Sequence, residues 1–248
     1  MLVSYLMGML GFLRKIRKSL IESGSVSRYV LYAVGEIALV VIGILIALQI
    51  NNWNEWRKDR IKETKILEDL VENLELNANT LERQMEVGFK RDSLSSQIII
   101  SFLENKLPYH DSLENHFGYA LNMSSDETVL SFVGYESMRN TGFDIVRDAE
   151  LKKEIIHLFE LTYDQLEDRS SRVGQSFGTV QGLIHERLMR KSGFRYAPFN
   201  YEGLFEDREF LSWLHTIFDN RGWVNASRSK SLMETERVLQ LIRDELGE

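Results

Sequence analysis

Apolar positions along this chain follow two patterns. Over residues 30–50 the sequence reads VLYAVGEIALVVIGILIALQI, with thirteen Ile, Leu or Val residues and Glu36 and Gln49 as its strongly polar members. At 1.5 Å rise per residue this run spans about 32 Å, the thickness of a bilayer's hydrocarbon core. Its branched residues, at about −0.3 to −0.6 kcal/mol each, together outweigh one off-centre glutamate at about +2.5 kcal/mol. Insertion is favoured. Tyr29 and Tyr32 at one end, with Trp53 and Trp56 at the other, stand where interfacial aromatic belts lie. A buried core helix rarely stays apolar on every face for this length. A cleaved signal peptide has a shorter run and a small-residue cleavage site, whereas this one leads into Gln49, Asn51, Asn52 and Trp53. The segment reads as an uncleaved signal anchor at residues 29–51, behind a short basic tail at 1–28.

Beyond the run, apolar residues recur at spacings of three and four, through Leu67, Leu70, Leu74, Ala78, Leu81 and Met85. Proline and glycine are absent from residues 44–87, so the helix is predicted to continue, reaching Glu104 through Leu94, Ile98 and Phe102 across Gly88. Pro108 marks a loop at 107–111. Helices are expected over 112–122 and 126–140, the second stopping at Gly142. Asp148 is placed to cap a helix of about forty residues whose stripe runs from Leu151 through Ile155, Leu158, Leu166 and Ile184 to Leu188. An aromatic, glycine- and proline-containing stretch at 192–206 reads as a loop over the end of a bundle, and helices at 207–219 and 224–246 follow. No strand alternation and no repeat is evident. The fold class is all-α: one N-terminal transmembrane helix continuing into a long helix of an extramembrane up-down helical bundle, residues 52–248.

Composition sharpens this reading. The 248 residues contain two prolines, which agrees with long helices, and no cysteine, which removes disulfides, thiolate metal sites and cysteine nucleophiles. The net charge of −7 divides unevenly: residues 1–65 carry ten basic and five acidic side chains, the remainder twenty and thirty-two. A basic collar beside the run suits lipid headgroups, and the acidic remainder argues against nucleic acid as a partner. Five basic residues flank the run on each side. Since long domains translocate largely regardless of charge, the short tail is expected in the cytoplasm and the bundle outside it.

Candidate chemistry is sparse. Glu36 is ionisable within the run, which suggests an interhelical partner or a proton relay, although it lies about 6 Å inside Tyr32 and can snorkel. Gly43 and Ala47 form a small-xxx-small pair, and Glu36, Gly43 and Ile50 share a seven-residue spacing, so a helix-packing face and a homo-oligomer are expected. The stretch from Gly174 through Ser176 to Gly178 matches G-x-S-x-G but falls inside a helical stripe without a preceding strand, so no nucleophile elbow is read there. His110 and His116, near Asp111 and Glu114, lack metal-ligand spacing, and His157, His185 and His215 are scattered. Glycosylation sequons at Asn122 and Asn225 are patterns only. Among Phe194, Arg195, Tyr196, Phe199, Tyr201 and Phe205, capping of the bundle core is preferred to a recognition surface.

The motifs Lys15-Ile16-Arg17, Tyr32-Ala33, Gly35-Glu36-Ile37, Val41-Ile42-Gly43-Ile44 and Gln49-Ile50-Asn51-Asn52-Trp53-Asn54-Glu55 bear a resemblance. Over about residues 12–60 the chain resembles the N-terminal signature of an uncharacterised family of bacterial single-pass membrane proteins. Tyr135, Gly142 and Leu151 resemble a weaker recurring pattern, and Met9 resembles the family's usual start. The resemblance implies membrane location and a helical body, with no known activity. The expectation is a non-enzymatic protein of the bacterial inner membrane, without cofactor or metal, anchored through Tyr32, Glu36, Gly43, Ala47, Trp53 and Trp56. Its expected partners are the lipid bilayer, further copies of itself and an unidentified protein. The alternative is a subunit of an ion-driven membrane complex using Glu36.

Overall fold

A computed structural model describes residues 26–122, 128–175 and 177–247. Residues 1–25 of the basic tail with Met9, the sequon residues Met123 and Ser124, Asp126 at the expected start of a helix, and Ser176 lie outside the described residues. Contacts divide the chain between Ile61 and Lys62 into two compact units. Helix α1, Val26–Arg83, nevertheless runs through that boundary without interruption.

In the first unit α1 is the apolar run. Its isoleucines, leucines and valines are exposed, and an 18-residue window reaches a mean hydropathy of 2.6 with none of it buried.

In the second unit α1 leads into a π-helical turn, Gln84–Phe89, and then α2, Lys90–Glu104. The helix thus reaches Glu104 as the stripe predicts, with the π-turn at the position of Gly88. Beyond the Pro108 loop come α3, Leu113–Ala120, and α4, Val133–Thr141. A long helical path follows: α5, Ala149–His157, a second π-turn, Leu158–Tyr163, then α6, Asp164–Gln175, and α7, Phe177–Arg187. A hairpin of β1, Leu188–Arg190, and β2, Tyr196–Pro198, precedes the last helix, α8, Arg208–Leu246. The caps are those the residues call for. Asp148 accepts the Leu151 amide at 2.8 Å, Asp207 accepts that of Phe210 at 3.0 Å, and Gly142 ends α4 at φ +103°, a value side chains disfavour.

Core membership defines the topology. One apolar cluster holds Leu67, Leu70, Leu74 and Leu81 of α1, Tyr135 and Met138 of α4, Ile155 of α5 and Val238 and Ile242 of α8. The other holds Ile99 and Leu103 of α2, Phe117 of α3, Ile184 of α7 and Leu214, Ile217 and Val224 of α8. We call them the proximal and distal cores. The path α1–α2 runs from proximal to distal, the broken path α3–α4 returns, α5–α7 ascends again and α8 descends. This is an up-down bundle whose second member is not one helix.

Three expectations need correction. The helix expected at 126–140 starts at Val133, and residues 128–132 are non-helical, because side chains of α1 bond their backbone in place of a helical ladder. The stretch expected to be all loop contains β2, paired antiparallel with β1, and Leu188 is in a strand. Strands this short carry no readable alternation. The helices expected at 207–219 and 224–246 are one, because Arg221 continues the buried stripe between Ile217 and Val224.

Candidate functional site

The six anchor residues predicted from sequence all lie on α1. Tyr32 and Glu36 are half-buried, Gly43 and Ala47 exposed, and Trp53 and Trp56 are 61% and 53% exposed. Helical spacing puts Glu36, Gly43 and Ile50 along one face. A Cβ on Gly43 would meet nothing within 4 Å, so no neighbour in this chain requires a glycine there. The Arg57 guanidinium lies 5.9 Å from the Trp53 ring centre and donates to Asn54 at 3.3 Å, while Asn51 donates to Glu55 at 3.1 Å.

Between the two cores lies a buried polar belt. It comprises Asp92, Ser93 and Ser96 of α2, Thr128 of the broken path, Ser170 of α6, and Arg221, Arg228 and Ser231 of α8. Its cause is the break in the second path. Where the chain leaves helix, its buried backbone groups lose their ladder and need other partners. Arg221, fully buried, donates to the carbonyls of Ala120 at 2.8 Å and Asn122 at 2.6 Å, and to Ser96 Oγ at 3.0 Å. A cation at the C-terminal end of α3 also meets the negative pole of that helix. Arg228 Nε donates to Thr128 Oγ1 at 3.0 Å. Asp92 accepts from Arg91 at 2.6 Å, and the Arg91 guanidinium lies 4.5 Å from the Tyr119 ring centre.

On the proximal side, Asn73 and Asn77, one turn apart, act as a clamp. Asn77 accepts the Ser131 amide at 2.7 Å and donates to the Ser131 carbonyl at 2.9 Å. Asn73 donates to that carbonyl at 3.0 Å and accepts the Gly134 amide at 3.0 Å. The start of α4 therefore sits against α1, so close that a Cβ on Gly134 would lie 2.8 Å from the Asp69 carbonyl. Thr235 gives its proton to the Ser231 carbonyl at 2.7 Å, which leaves the Tyr163 hydroxyl to donate to Thr235 at 2.8 Å. Burial pushes the Tyr163 phenol up to about 12. Buried Glu63 accepts the Arg147 amide at 2.8 Å.

On the distal side, Glu114 is buried with Lys191 Nζ at 2.6 Å and Arg195 at 2.5 Å, so the hairpin is held to α3 by charge. The hydrogen bond from Lys191, then that from Arg195, holds the Glu114 carboxyl below the usual range. Burial, then the Glu114 charge, pushes Tyr109 up to about 12. A Cβ on Gly118 would run into the Phe194 carbonyl, so α3 can carry only glycine under the hairpin. Of the aromatic loop residues, Tyr196, Tyr201 and Phe205 pack on the distal core, while Phe194 and Phe199 are 53% and 63% exposed.

The histidines are dispersed. His110 pairs with Ser112 at 3.0 Å, His116 with Ser95 at 3.2 Å and His215 with Glu104 at 2.9 Å. Among the described residues no group of His, Asp and Glu is placed to hold a metal ion. An open groove of about 500 Å³ follows one face of the α5 path, along Ala149, Lys152, Ile156, His157 and Glu160. The stretch around Ser176 is flanked by α6 and α7, without a strand before it.

Sequence reasoning missed the belt and the clamp. A signal was present: Leu214, Ile217, Arg221, Val224, Arg228, Ser231, Thr235 and Val238 form one series of steps of three and four. Hydrophobicity hides it, since half its members are polar.

An apolar helix that continues into an all-α bundle with a polar belt is the class this chain defines. The chain belongs to a family of unknown function, DUF6090, which matches residues 36–181. The match begins at Glu36 inside the apolar run and ends in α7, so α8 with Arg221 and Arg228 lies beyond it. No match was found among curated proteins or solved structures.

Proposed function

We propose that this is a non-enzymatic, single-pass protein of the bacterial inner membrane, whose extracytoplasmic bundle binds a partner or holds an envelope assembly together. Residues 1–28 form the cytoplasmic tail, 29–51 the span and 52–248 the bundle. The observation that carries the reading is the run itself: its most apolar window has a mean hydropathy of 2.6 and no part of it is covered by protein. Exposed apolar surface on this scale is costly in water, at about 25 cal/mol per Å², and favourable in lipid. Bilayer and further copies of the chain are the partners of the span, through Gly43 and Ala47. The acidic bundle avoids nucleic acid and meets an unidentified protein. The test is extraction of membranes with alkaline carbonate, followed by protease on intact spheroplasts. Retention with C-terminal cleavage agrees with the proposal, and release into the soluble fraction or a protected bundle refutes its anchor or its orientation.

The position of Glu36 within the run favours a second reading, in which the protein is a subunit of an ion-driven complex. Glu36→Gln separates the two. An assembly role predicts altered crosslinking between copies, whereas ion translocation predicts intact assembly with lost ion-coupled activity.

A further inference from the structure

The belt divides the bundle across all its members. Each long path passes from apolar core through polar residues to apolar core: Leu81 to Ile99 through Asp92, Ser93 and Ser96, Leu166 to Ile184 through Ser170, and Val238 back to Val224 through Ser231 and Arg228. The remaining path is non-helical at its described residues there, 121–122 and 128–132. Both π-turns precede belt residues on their own paths, Gln84–Phe89 before Asp92 and Leu158–Tyr163 before Ser170. Regular α-helical bonding is therefore interrupted beside the division in two of the four paths, by the Gln84–Phe89 π-turn and by the non-helical residues 121–122 and 128–132, while the Leu158–Tyr163 π-turn lies within the proximal core.

The energetics of the belt differ from those of the cores. Parting two apolar surfaces exposes them to water with nothing gained in return. Parting the belt lets its guanidinium and hydroxyl groups recover hydration, so the net loss per hydrogen bond is small. Ser93 makes the point: it is 7% exposed, its hydroxyl has no hydrogen-bond partner among the described residues, and opening of the belt gives that hydroxyl water.

The halves also differ in closure. Aromatic packing of Phe132, Tyr135, Phe159 and Tyr163, with Tyr135 and Phe159 stacked at 4.6 Å, and the asparagine clamp fasten the proximal core. The distal core is closed by an eight-residue helix and by three-residue strands whose connecting turn carries the half-exposed Lys191 and Arg195. We propose that the bundle opens at the belt: the distal half, with the hairpin and its exposed Phe194 and Phe199, separates as its own cooperative unit while the proximal half stays folded. This supplies a movable recognition end on a fixed base, and it holds whether or not the apolar run lies in a bilayer.

Hydrogen–deuterium exchange of the full chain in detergent micelles tests it. Amides of residues 98–103, 113–121 and 210–217 should exchange about tenfold or more faster than those of 66–81, 151–166 and 238–242. Ser93→Ala removes the unsatisfied hydroxyl and should slow distal exchange about fivefold, leaving the proximal half unchanged. Equal protection in both halves, faster proximal exchange, or distal exchange unmoved by Ser93→Ala overturns the proposal.

Discussion

In the stretch 30–50 of α1 the aliphatic side chains stand exposed, Leu31 at 78% and Leu39 at 70%, whereas in α8 Arg221 and Arg228 have no exposed surface. Both helices invert the usual arrangement of a soluble protein, and for different reasons. On the proposed reading of the run as a span, the first inversion follows from the solvent: a helix apolar on every side is matched to lipid, which needs no polar face. The second concerns backbone. A path that leaves helix inside a bundle brings bare carbonyls with it, and a buried arginine with several donors is an efficient way to satisfy them. Burial of charge in α8 therefore follows from the broken path beside it, not from the composition of α8.

The contrast can be broken at either end, and the largest effect is expected at the buried arginine. Arg221→Ala leaves the Ala120 and Asn122 carbonyls without their donor and opens a cavity, so denaturant unfolding in micelles should show a loss of about 3–5 kcal/mol. A charge introduced into the other helix acts on partition, not folding. Leu45→Arg should cost insertion about 3 kcal/mol and shift the protein out of the carbonate-resistant fraction, while the thermal unfolding of the bundle stays unchanged. The clamp comes next: Asn73→Ala removes partners of Ser131 and Gly134 and should lower stability by about 1–3 kcal/mol, read by the same denaturant titration.

The smallest effect is a dependence on pH. Glu114 has its carboxyl depressed by Lys191 and Arg195, so its pKa is lower folded than unfolded. Its stabilising contribution is complete above the unfolded value of about 4.3 and is lost as pH falls through the folded value. Unfolding followed from pH 6 to pH 2 should show an acid-side loss that Glu114→Gln reduces, because the amide cannot titrate. A variant with an unchanged acid limb would mean that the hairpin is not held by this carboxylate.

Much of this architecture was legible before any coordinates. The stripe Leu67, Leu70, Leu74 and Leu81 is buried as its spacing predicts, Asp148 caps α5, Gly142 ends α4, and Pro108 lies in a loop. Those features depend on local spacing and on backbone preferences of single residues. The merging of the last two predicted helices was not legible to a hydrophobic pattern, because the buried position between Ile217 and Val224 is held by Arg221. The hairpin was missed because three-residue strands are set by partners across the turn and by α3 beneath. Of the candidate site, the apolar run with Glu36, Gly43 and its aromatic ends could be read directly. The belt could not, since Asn77 and Ser131 are 54 positions apart and Arg221 and Ala120 are 101 apart.

By itself, then, the amino-acid sequence determined the apolar run, the all-α class, the division of charge between collar and bundle, and most helix ends, since each arises from residues within a few turns of one another. Tertiary structure alone decided where the second path breaks, which side chains replace its missing hydrogen bonds, and that the apolar interior is two cores instead of one. The reason is physical: a buried backbone group must be satisfied, and the donor that satisfies it is whichever one the packing of distant helices brings within about 3 Å.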